Sequence, residues 1–178
     1  TAGKRSTSFN GYVNALIAER LTGDPTYVKI TEPMERGTSL EDEARAMYQL
    51  IEEVDVRQVD FIKHPNMEVG CSPDGLIDKE QDGLIGGLEI KCPLQGTHVE
   101  YLRAGKLPSK YLLQVQGCMF VTGRGFWDFM SYHPKMRPFM IRTYRDDDLI
   151  NELVTNLQEA VLLIDEGVDK FQWDGVKT

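Results

Sequence analysis

Two short segments of the chain combine carboxylates with a lysine. The first is Ser72-Pro73-Asp74-Gly75-Leu76, and the second is Leu88-Glu89-Ile90-Lys91-Cys92-Pro93. Acidic and glycine residues between positions 78 and 83 predict a hairpin turn, so the two segments should lie side by side as strands. Because side chains alternate along a strand, Glu89 and Lys91 should project from the same face. The spacing therefore predicts two carboxylates and one ammonium group converging on one point.

Such a set of groups suits metal-assisted cleavage of a phosphodiester. Two carboxylates can hold Mg²⁺, and a lysine can position or deprotonate an attacking water. The simpler alternative is a turn-forming aspartate followed by a solvated strand face. Leu84, Ile85, Leu88 and Ile90 argue against it, because they favour a central strand, on which charges need a partner or a metal. The pattern Pro-Asp…Glu-x-Lys resembles the signature motif of the PD-(D/E)xK nucleases.

A longer part of the chain resembles one nuclease family. From Met34 to His133 the sequence is similar to the phage lambda exonuclease family, also called the YqaJ-type viral recombinase nucleases. Five blocks in the same order carry the resemblance. They are Arg36-Gly37-Thr38-Ser39-Leu40-Glu41-Asp42-Glu43-Ala44-Arg45, Cys71-Ser72-Pro73-Asp74-Gly75-Leu76, Leu88-Glu89-Ile90-Lys91-Cys92-Pro93, Tyr111-Leu112-Leu113-Gln114-Val115-Gln116 and Trp127 to Pro134.

The resemblance implies a fold, an activity and an assembly. The fold would be α/β, a restriction-endonuclease-like central mixed sheet flanked by helices. The activity would be processive 5′→3′ digestion of one strand of linear double-stranded DNA, which releases mononucleotides and leaves a 3′ overhang for annealing recombination. The family also implies a ring-shaped homotrimer around DNA, a single-strand annealing protein as partner, and a phage or prophage enzyme in the bacterial host cytoplasm.

The resemblance also assigns roles to individual residues. Asp74, Glu89 and the main-chain carbonyl of Ile90 would bind the principal Mg²⁺, and Glu41 would help to hold a second ion, with Mn²⁺ able to substitute. Lys91 would activate the attacking water. Gln114 and Tyr111 would line the same pocket. The residues expected to contact DNA are Met34, Arg36, Ser72, His98 and Arg103.

Several of these residues have structural alternatives. Glu41 could be a first-turn acid that the helix dipole favours, and Gln114 could be an ordinary exposed amide. Met34 could be a core methionine at the entry of its helix or an apolar wedge that parts the terminal base pairs. A surface histidine is the simpler expectation for His98.

The chain departs from the family at the expected 5′-phosphate site. Family members carry an arginine before the first helix, whereas this chain begins Thr1-Ala2-Gly3-Lys4-Arg5-Ser6, and Thr97 stands near the place of another family arginine. We expect the sequence to lack its native beginning.

Composition limits the remaining possibilities. A chain of 178 residues predicts one domain with one core, spanning residues 1–178. No apolar run approaches the ~20 residues of a membrane span, and we expect no signal peptide. Cys71, Cys92 and Cys118 lack Cys-x-x-Cys spacing and are expected to be buried free thiols. The net charge of −8 argues against nonspecific DNA coating but leaves a DNA enzyme with a basic channel open.

Hydrophobic periodicity predicts the order of elements. Helices are expected from about Ser8 to Gly23, over Leu40–Val54, over Tyr111–Thr122 and from Asp147 onwards, with a loop from Asp24 to Pro33. Short strands are expected between Val56 and Gly70, and longer ones over Phe126–Tyr132 and Phe139–Tyr144.

Two other functions remain open on these residues. One is a PD-(D/E)xK endonuclease or repair nuclease of different polarity, and the other is a noncatalytic DNA-binding protein on the same fold. The noncatalytic alternative is disfavoured, because a scaffold without activity has no physical reason to keep Glu41, Asp74, Glu89 and Lys91 together. Digestion of circular and linear duplexes distinguishes the first alternative from an exonuclease, because an exonuclease needs a DNA end.

Overall fold

The computed structural model describes residues 7–27 and 31–173. Helices and strands alternate in the order of an α/β protein. The elements within the described ranges are α1 (Thr7–Thr22), α2 (Glu32–Glu52), β1 (Ile62–Lys63), β2 (Gly70–Cys71), β3 (Gly75–Gln81), β4 (Leu84–Lys91), α3 (Gln95–Ala104), α4 (Leu112–Thr122), β5 (Phe126–Ser131), β6 (Phe139–Tyr144) and α5 (Asp147–Phe171).

Four strands form a mixed sheet in the order β3-β4-β5-β6. The β3–β4 and β5–β6 pairs are antiparallel, whereas β4 and β5 run parallel. A parallel pair needs a crossover connection, and here the connection contains α3 and α4. The expected central mixed sheet with helices is confirmed, and β4 is an inner strand, as its apolar residues predicted. Strands β1 and β2 form a separate antiparallel pair.

The β3–β4 hairpin is the element that positions the two motif segments. Its tight turn is Asp82-Gly83, and both residues have positive φ, 53° and 77°. This backbone twist suits the short connection of a hairpin. Gly75 pairs with Leu88 across the two strands, so the residues just before Gly75 and just after Leu88 face each other.

Aromatic residues of β5 pack across glycines of β4. A Cβ atom at Gly86 would lie 2.1 Å from the Phe126 ring, and one at Gly87 would lie 2.3 Å from the Trp127 ring. Both aromatic residues are fully buried, and Leu88 and Ile90 of β4 are buried as well. The glycines therefore let the two rings pack directly on β4, the strand that carries Glu89.

Helix α2 begins earlier than the sequence predicted. The predicted loop reached Pro33, but the helix begins at Glu32 with Pro33 in its first turn and Thr31 as N-cap residue. Proline is favoured there, because its missing N–H has no partner at the start of a helix in any case. Met34 and Arg36 therefore lie on the helix, upstream of its predicted start at Leu40.

The chain divides into two compact units. One contains α1 and the part of α5 from Val154 onwards, where Val13, Ile17 and Ile164 are buried together. The other contains both sheets, α2, α3, α4 and the start of α5. None of the described helices is long and apolar enough to cross a membrane. All three cysteines are free thiols, and Cys71 is partly exposed.

Candidate active site

The two motif acids lie at the end of the β3–β4 hairpin that is remote from the turn. Asp74 immediately precedes β3, and Glu89 is in β4, one residue beyond the Gly75–Leu88 pair. The Ile90 N–H donates to Asp74 Oδ2 at 2.6 Å. A hydrogen bond from the neighbouring strand therefore fixes the Asp74 carboxylate beside Glu89, as the hairpin prediction required.

Glu89 is a buried carboxylate, and only one of its two oxygens has a hydrogen-bond partner. Its side chain is 1% exposed. Oε1 accepts hydrogen bonds from the Gln114 amide, at 2.8 Å, and from the Lys91 ammonium. Oε2 is buried and has no hydrogen-bond partner. A buried carboxylate oxygen without a partner is costly, so Oε2 is available to a further ligand.

The surroundings of Asp74 disfavour its charged form. Burial raises the pKa of Asp74 to about 6, and the nearby Glu89 carboxylate adds to the effect. The Ile90 hydrogen bond, Lys91 and Arg45 oppose the shift but do not cancel it. Burial and the neighbouring carboxylate both disfavour ionised Asp74, so a cation beside the pair would stabilise its charged form.

Lys91 lies on the same face of β4 as Glu89, as strand alternation predicted. Burial lowers its pKa, but the Glu89 carboxylate outweighs burial, and the net pKa of Lys91 is raised. The side chain is therefore an ammonium group and donates to Glu89. Its Nζ lies 5.5 Å from the centre of the Tyr111 ring, so Tyr111 borders the same site.

Glu41 approaches the pair from helix α2. Burial raises the pKa of Glu41, and the Asp74 carboxylate contributes to the rise. The Arg45 guanidinium binds Glu41 from one turn further along the helix. Glu41 is therefore within electrostatic range of Asp74 and is at the same time engaged by an arginine.

The donor set fits a hard divalent cation. Asp74, Glu89 and a main-chain carbonyl offer oxygen atoms, which are the ligands that Mg²⁺ prefers, and the unpartnered Glu89 Oε2 supplies a free acceptor. Within the described ranges, no three His, Cys, Asp or Glu side chains are grouped closely enough to hold a metal. Asp74 and Glu89 would be the two carboxylate ligands of one ion, and the Ile90 carbonyl and water would complete its coordination.

A cavity of about 350 Å³ opens beside the acids. Among its lining residues are Met34, Arg36, Glu41, Lys91, Lys110 and Tyr111. Met34 is 48% exposed, which excludes a core methionine. Arg36 Nε is buried without a partner. A larger cleft, around Gln49 to Arg57 with Asp78 and Lys79, contains none of the predicted site residues.

Three expected DNA contacts are not brought into this cavity. His98 is fully buried in α3, where Nε2 donates to the Arg137 carbonyl at 3.0 Å and Nδ1 accepts from Ser131 Oγ at 2.7 Å. Both ring nitrogens are used internally, so the expectation of a surface histidine that contacts DNA is wrong. Ser72 and Arg103 are exposed but do not line the cavity.

Two residues that the sequence interpretation did not assign belong to the site. Arg45 lies in the first resemblance block and binds both Glu41 and the Asp74 carbonyl. Lys110 lies 4.9 Å above the Tyr111 ring and 5.7 Å above the Tyr101 ring. The spacing of Glu41 and Arg45, one helical turn apart, was the available signal for an ion pair; nothing local indicated the Asp74 contact.

Comparisons with known proteins give one matching family model and similar solved structures. The model of the YqaJ-like viral recombinase domain matches residues 4–125. An alkaline exonuclease from Laribacter hongkongensis, also solved in complex with dAMP, is 35% identical, covers 94% of this chain and 85% of its own, and has a TM-score of 0.85. A phage-related exonuclease from Haemophilus somnus 129PT is 17% identical, covers 95% and 84% of the two chains, and has a TM-score of 0.66, which is evidence for the fold alone.

A search of proteins with curated function finds no match. The family model spans well over half of the 178 residues. Its matched range contains the Asp74–Glu89 pair, Lys91, Glu41 and Gln114, and the Laribacter exonuclease shares the fold over nearly the whole chain. The chain therefore belongs to the YqaJ-like viral recombinase domain family, a family of nucleases with exonucleases among its members.

Proposed function

We propose that this protein is a Mg²⁺-dependent exonuclease that digests one strand of linear double-stranded DNA in the 5′→3′ direction. It releases mononucleotides and leaves a 3′ overhang for single-strand annealing. The observation that carries the proposal is the buried Glu89 carboxylate, whose Oε2 lacks a partner beside the destabilised Asp74 carboxylate. The 35% identity to an alkaline exonuclease supports the same reaction class.

Asp74, Glu89 and the Ile90 carbonyl hold the principal Mg²⁺ in this proposal, and Mn²⁺ can replace it. The bound ion supplies Lewis-acid stabilisation of the charge on the phosphate and favours ionisation of a nearby water. Glu41 contributes to a second ion. Its position near Asp74 supports this role, and its ion pair with Arg45 means that it would act through only part of its carboxylate.

Lys91, Gln114 and Tyr111 organise the reacting groups. Lys91 is protonated in the metal-free protein, so it acts first as a hydrogen-bond donor that orients the attacking water or a phosphate oxygen. Action as a base would require neutralisation of the neighbouring carboxylate charge, which now holds its proton in place. Gln114 donates to Glu89 Oε1 and leaves Oε2 free. Tyr111 forms the wall beside Lys91.

The cavity beside the acids receives the end of the cleaved strand. Met34 is exposed at its rim and can serve as an apolar wedge between terminal base pairs. Arg36 offers a buried guanidinium nitrogen without a partner, which suits a phosphate oxygen. Ser72 and Arg103 remain as outer contacts to the backbone, since both side chains are exposed.

Assembly and partners complete the proposal. A homotrimeric ring around DNA would keep an acidic monomer of net charge −8 on its substrate. A single-strand annealing protein would take over the 3′ overhang, and the reaction would occur in the cytoplasm of a bacterial host that carries the phage or prophage.

Nuclease assays with one isosteric substitution test the proposal. Linear duplex DNA is incubated with wild-type protein in Mg²⁺, Mn²⁺ or Ca²⁺. We expect cleavage with the first two ions and little with Ca²⁺, whose looser coordination misplaces the water. Glu89→Gln should remove nearly all cleavage, because the neutral amide no longer supplies the negative charge or the free carboxylate oxygen.

Glu80→Gln is the matched control, because it removes the same charge from an exposed position on β3. It should digest DNA at the wild-type rate. Near-wild-type digestion by Glu89→Gln in a folded protein would contradict the assignment of the site.

A further inference from the structure

A buried arginine joins helix α2 to the strand that begins at Asp74. Arg45 is 6% exposed. Its Nε donates to the Asp74 main-chain carbonyl at 3.0 Å, Nη1 donates to Asp42 Oδ1 at 2.6 Å, and Nη2 binds Glu41. With the Gln58 amide turned to suit its surroundings, its oxygen accepts from Nη1 at 2.6 Å and Nη2 at 3.2 Å. Each guanidinium nitrogen therefore has an acceptor.

The contact to a main-chain carbonyl separates this interaction from an ordinary surface ion pair. Asp74 is held at two points: its carboxylate accepts from the Ile90 N–H, and its carbonyl accepts from Arg45. The first point fixes the carboxylate relative to β4. The second fixes the peptide from which the side chain extends relative to α2, where Glu41 is bound by the same guanidinium.

We propose that Arg45 is a positioning residue that sets the mutual placement of Asp74 and Glu41 for metal binding. The inference deepens the proposed function and rests on it, because the acids that Arg45 joins are those assigned to the metal. Arg45 itself donates hydrogen bonds only and cannot be a metal ligand.

Lysine cannot replace this arrangement fully. The guanidinium is a planar fork whose donors are fixed relative to one another, whereas the lysine ammonium is a single charge on a flexible chain. Arg45→Lys keeps the charge but cannot bind the Asp74 carbonyl and both acids of α2 in the same geometry. Arg45→Met removes the charge and all donors with little loss of volume.

A purely electrostatic role makes the opposite prediction for metal affinity. Arg45 carries positive charge next to the acids, and its presence lowers the pKa of both Glu41 and Asp74. If charge were its only effect, its removal would relieve repulsion of a divalent cation and tighten metal binding. A positioning role predicts weaker binding, because the acids lose their placement.

Arg124 is a matched control on the same fold. It is also 6% exposed, and its Nη1 donates to the main-chain carbonyls of Ile77 and Gly86, at 2.9 and 2.8 Å. Its carboxylate partner is Asp78, which is not a site acid. Arg124→Met therefore removes a buried, carbonyl-bound guanidinium without touching Asp74 or Glu41.

The experiment is calorimetric titration of DNA-free protein with Mn²⁺ at one fixed pH, together with thermal unfolding in chelator. For Arg45→Met we expect an increase in Kd of about tenfold or more, the usual effect of losing a group that orients a metal ligand. The Kd of Arg45→Lys for Mn²⁺ should lie between those of the wild type and Arg45→Met. Arg124→Met should unfold at lower temperature and bind Mn²⁺ as wild type does.

Two results would overturn the inference. Unchanged Mn²⁺ affinity in Arg45→Met, with only a lower melting temperature, would make Arg45 a structural residue like Arg124. Tighter Mn²⁺ binding by Arg45→Met would mean that Arg45 acts only through its positive charge. If Arg45→Met does not fold, Arg45→Lys decides, because wild-type affinity in that variant would show that the fork geometry is not needed.

Different results would reject the proposed function and the role of Arg45. Wild-type protein that binds no Mn²⁺, or that binds it equally well after Glu89→Gln, would remove the metal site itself. Wild-type binding that depends on Glu89 but not on Arg45 would leave the proposed function intact and reject only the role of Arg45.

Discussion

At the scale of single residues, the site places two carboxylates close together in a buried position, where their negative charges are unfavourable and a bound cation would stabilise them. Asp74 and Glu89 are close, Asp74 is partly buried, and Glu89 is buried almost completely. Lys91 compensates only Glu89 Oε1 directly. A site of this kind is less stable without its ligand than a neutral one would be.

This property gives a prediction for Asp74→Asn in metal-free protein. The pKa of Asp74 is raised to about 6 in the folded protein, chiefly by burial, whereas the unfolded value is about 4. The folded state therefore binds more protons between these pH values, and stability falls as pH rises through that window. Asp74→Asn should gain about 2–3 kcal/mol at pH 8, and the gain should shrink below pH ~5.

Urea unfolding in chelator at both pH values measures this difference. Asp78→Asn is a control of opposite sign, because hydrogen bonds from Arg57 and Arg124 lower the pKa of Asp78 to about 2. That variant should lose stability at pH 8. A loss of stability in Asp74→Asn at pH 8 would mean that the Asp74 charge is favourable in the fold and would contradict the proposed electrostatics.

Residues whose placement depends on local geometry could be predicted from the sequence. Glu89 and Lys91 share a face because strand side chains alternate, and the short turn brings Asp74 beside them. Arg45 and His98 could not be placed in this way. Their partners, the Asp74 and Arg137 carbonyls, are main-chain atoms 29 and 39 residues away. Every residue has a main-chain carbonyl, so the residue type does not reveal which carbonyl accepts the hydrogen bond.

At the scale of elements, β4 and α2 carry most of the site. The sequence predicted α1 to end at Gly23 and the order of the later strands and helices, because their apolar periodicity is regular. It misplaced the start of α2, because Pro33 indicates a loop as readily as a first helical turn. The consequence is functional, since Met34 and Arg36 have the fixed directions of helical side chains.

The packing of β4 against β5 makes one prediction about stability. In Gly87→Ala the new Cβ would lie 2.3 Å from the buried Trp127 ring, so the variant should lose about 1–3 kcal/mol, the usual cost of overpacking. Gly117→Ala is the control: its Cβ would meet only Leu153, at 3.6 Å, and alanine in a helix interior should be neutral or stabilising. Denaturant unfolding compares them, and equal stability of the two variants would contradict this account of the core.

The first turn of α2 makes a prediction about strand separation. If exposed Met34 parts terminal base pairs, Met34→Ala should slow digestion of blunt ends far more than digestion of ends frayed by mismatches. The melting temperature should barely change, because the side chain is not in the core. Digestion of two linear duplexes that differ only in terminal mismatches measures the ratio. Equal slowing on both ends would reject the wedge.

At the scale of the whole molecule, a monomer with a net charge of −8 should be repelled by DNA outside its active site. A closed ring would hold the substrate by topology instead of by surface charge. Cyclic symmetry would make each contact between neighbours heterologous, with two different surfaces of the same chain.

The ring makes a joint prediction for assembly and kinetics. Sedimentation should find a trimer at micromolar concentration, and digestion in the presence of excess unlabelled competitor DNA should continue on the molecules already bound. A monomer with distributive digestion, in which the competitor stops the reaction at once, would remove the ring from the proposal.

The proposed Asp74–Glu89 site should cleave DNA from an end and in one direction. Linear duplexes labelled at the 5′ or the 3′ end of one strand, and a covalently closed circle of the same sequence, are incubated with protein and Mg²⁺. We expect immediate release of 5′ label as mononucleotide, late release of 3′ label, an intact circle, and no release with Glu89→Gln. Cleavage of the circle, or early release of 3′ label, would contradict it.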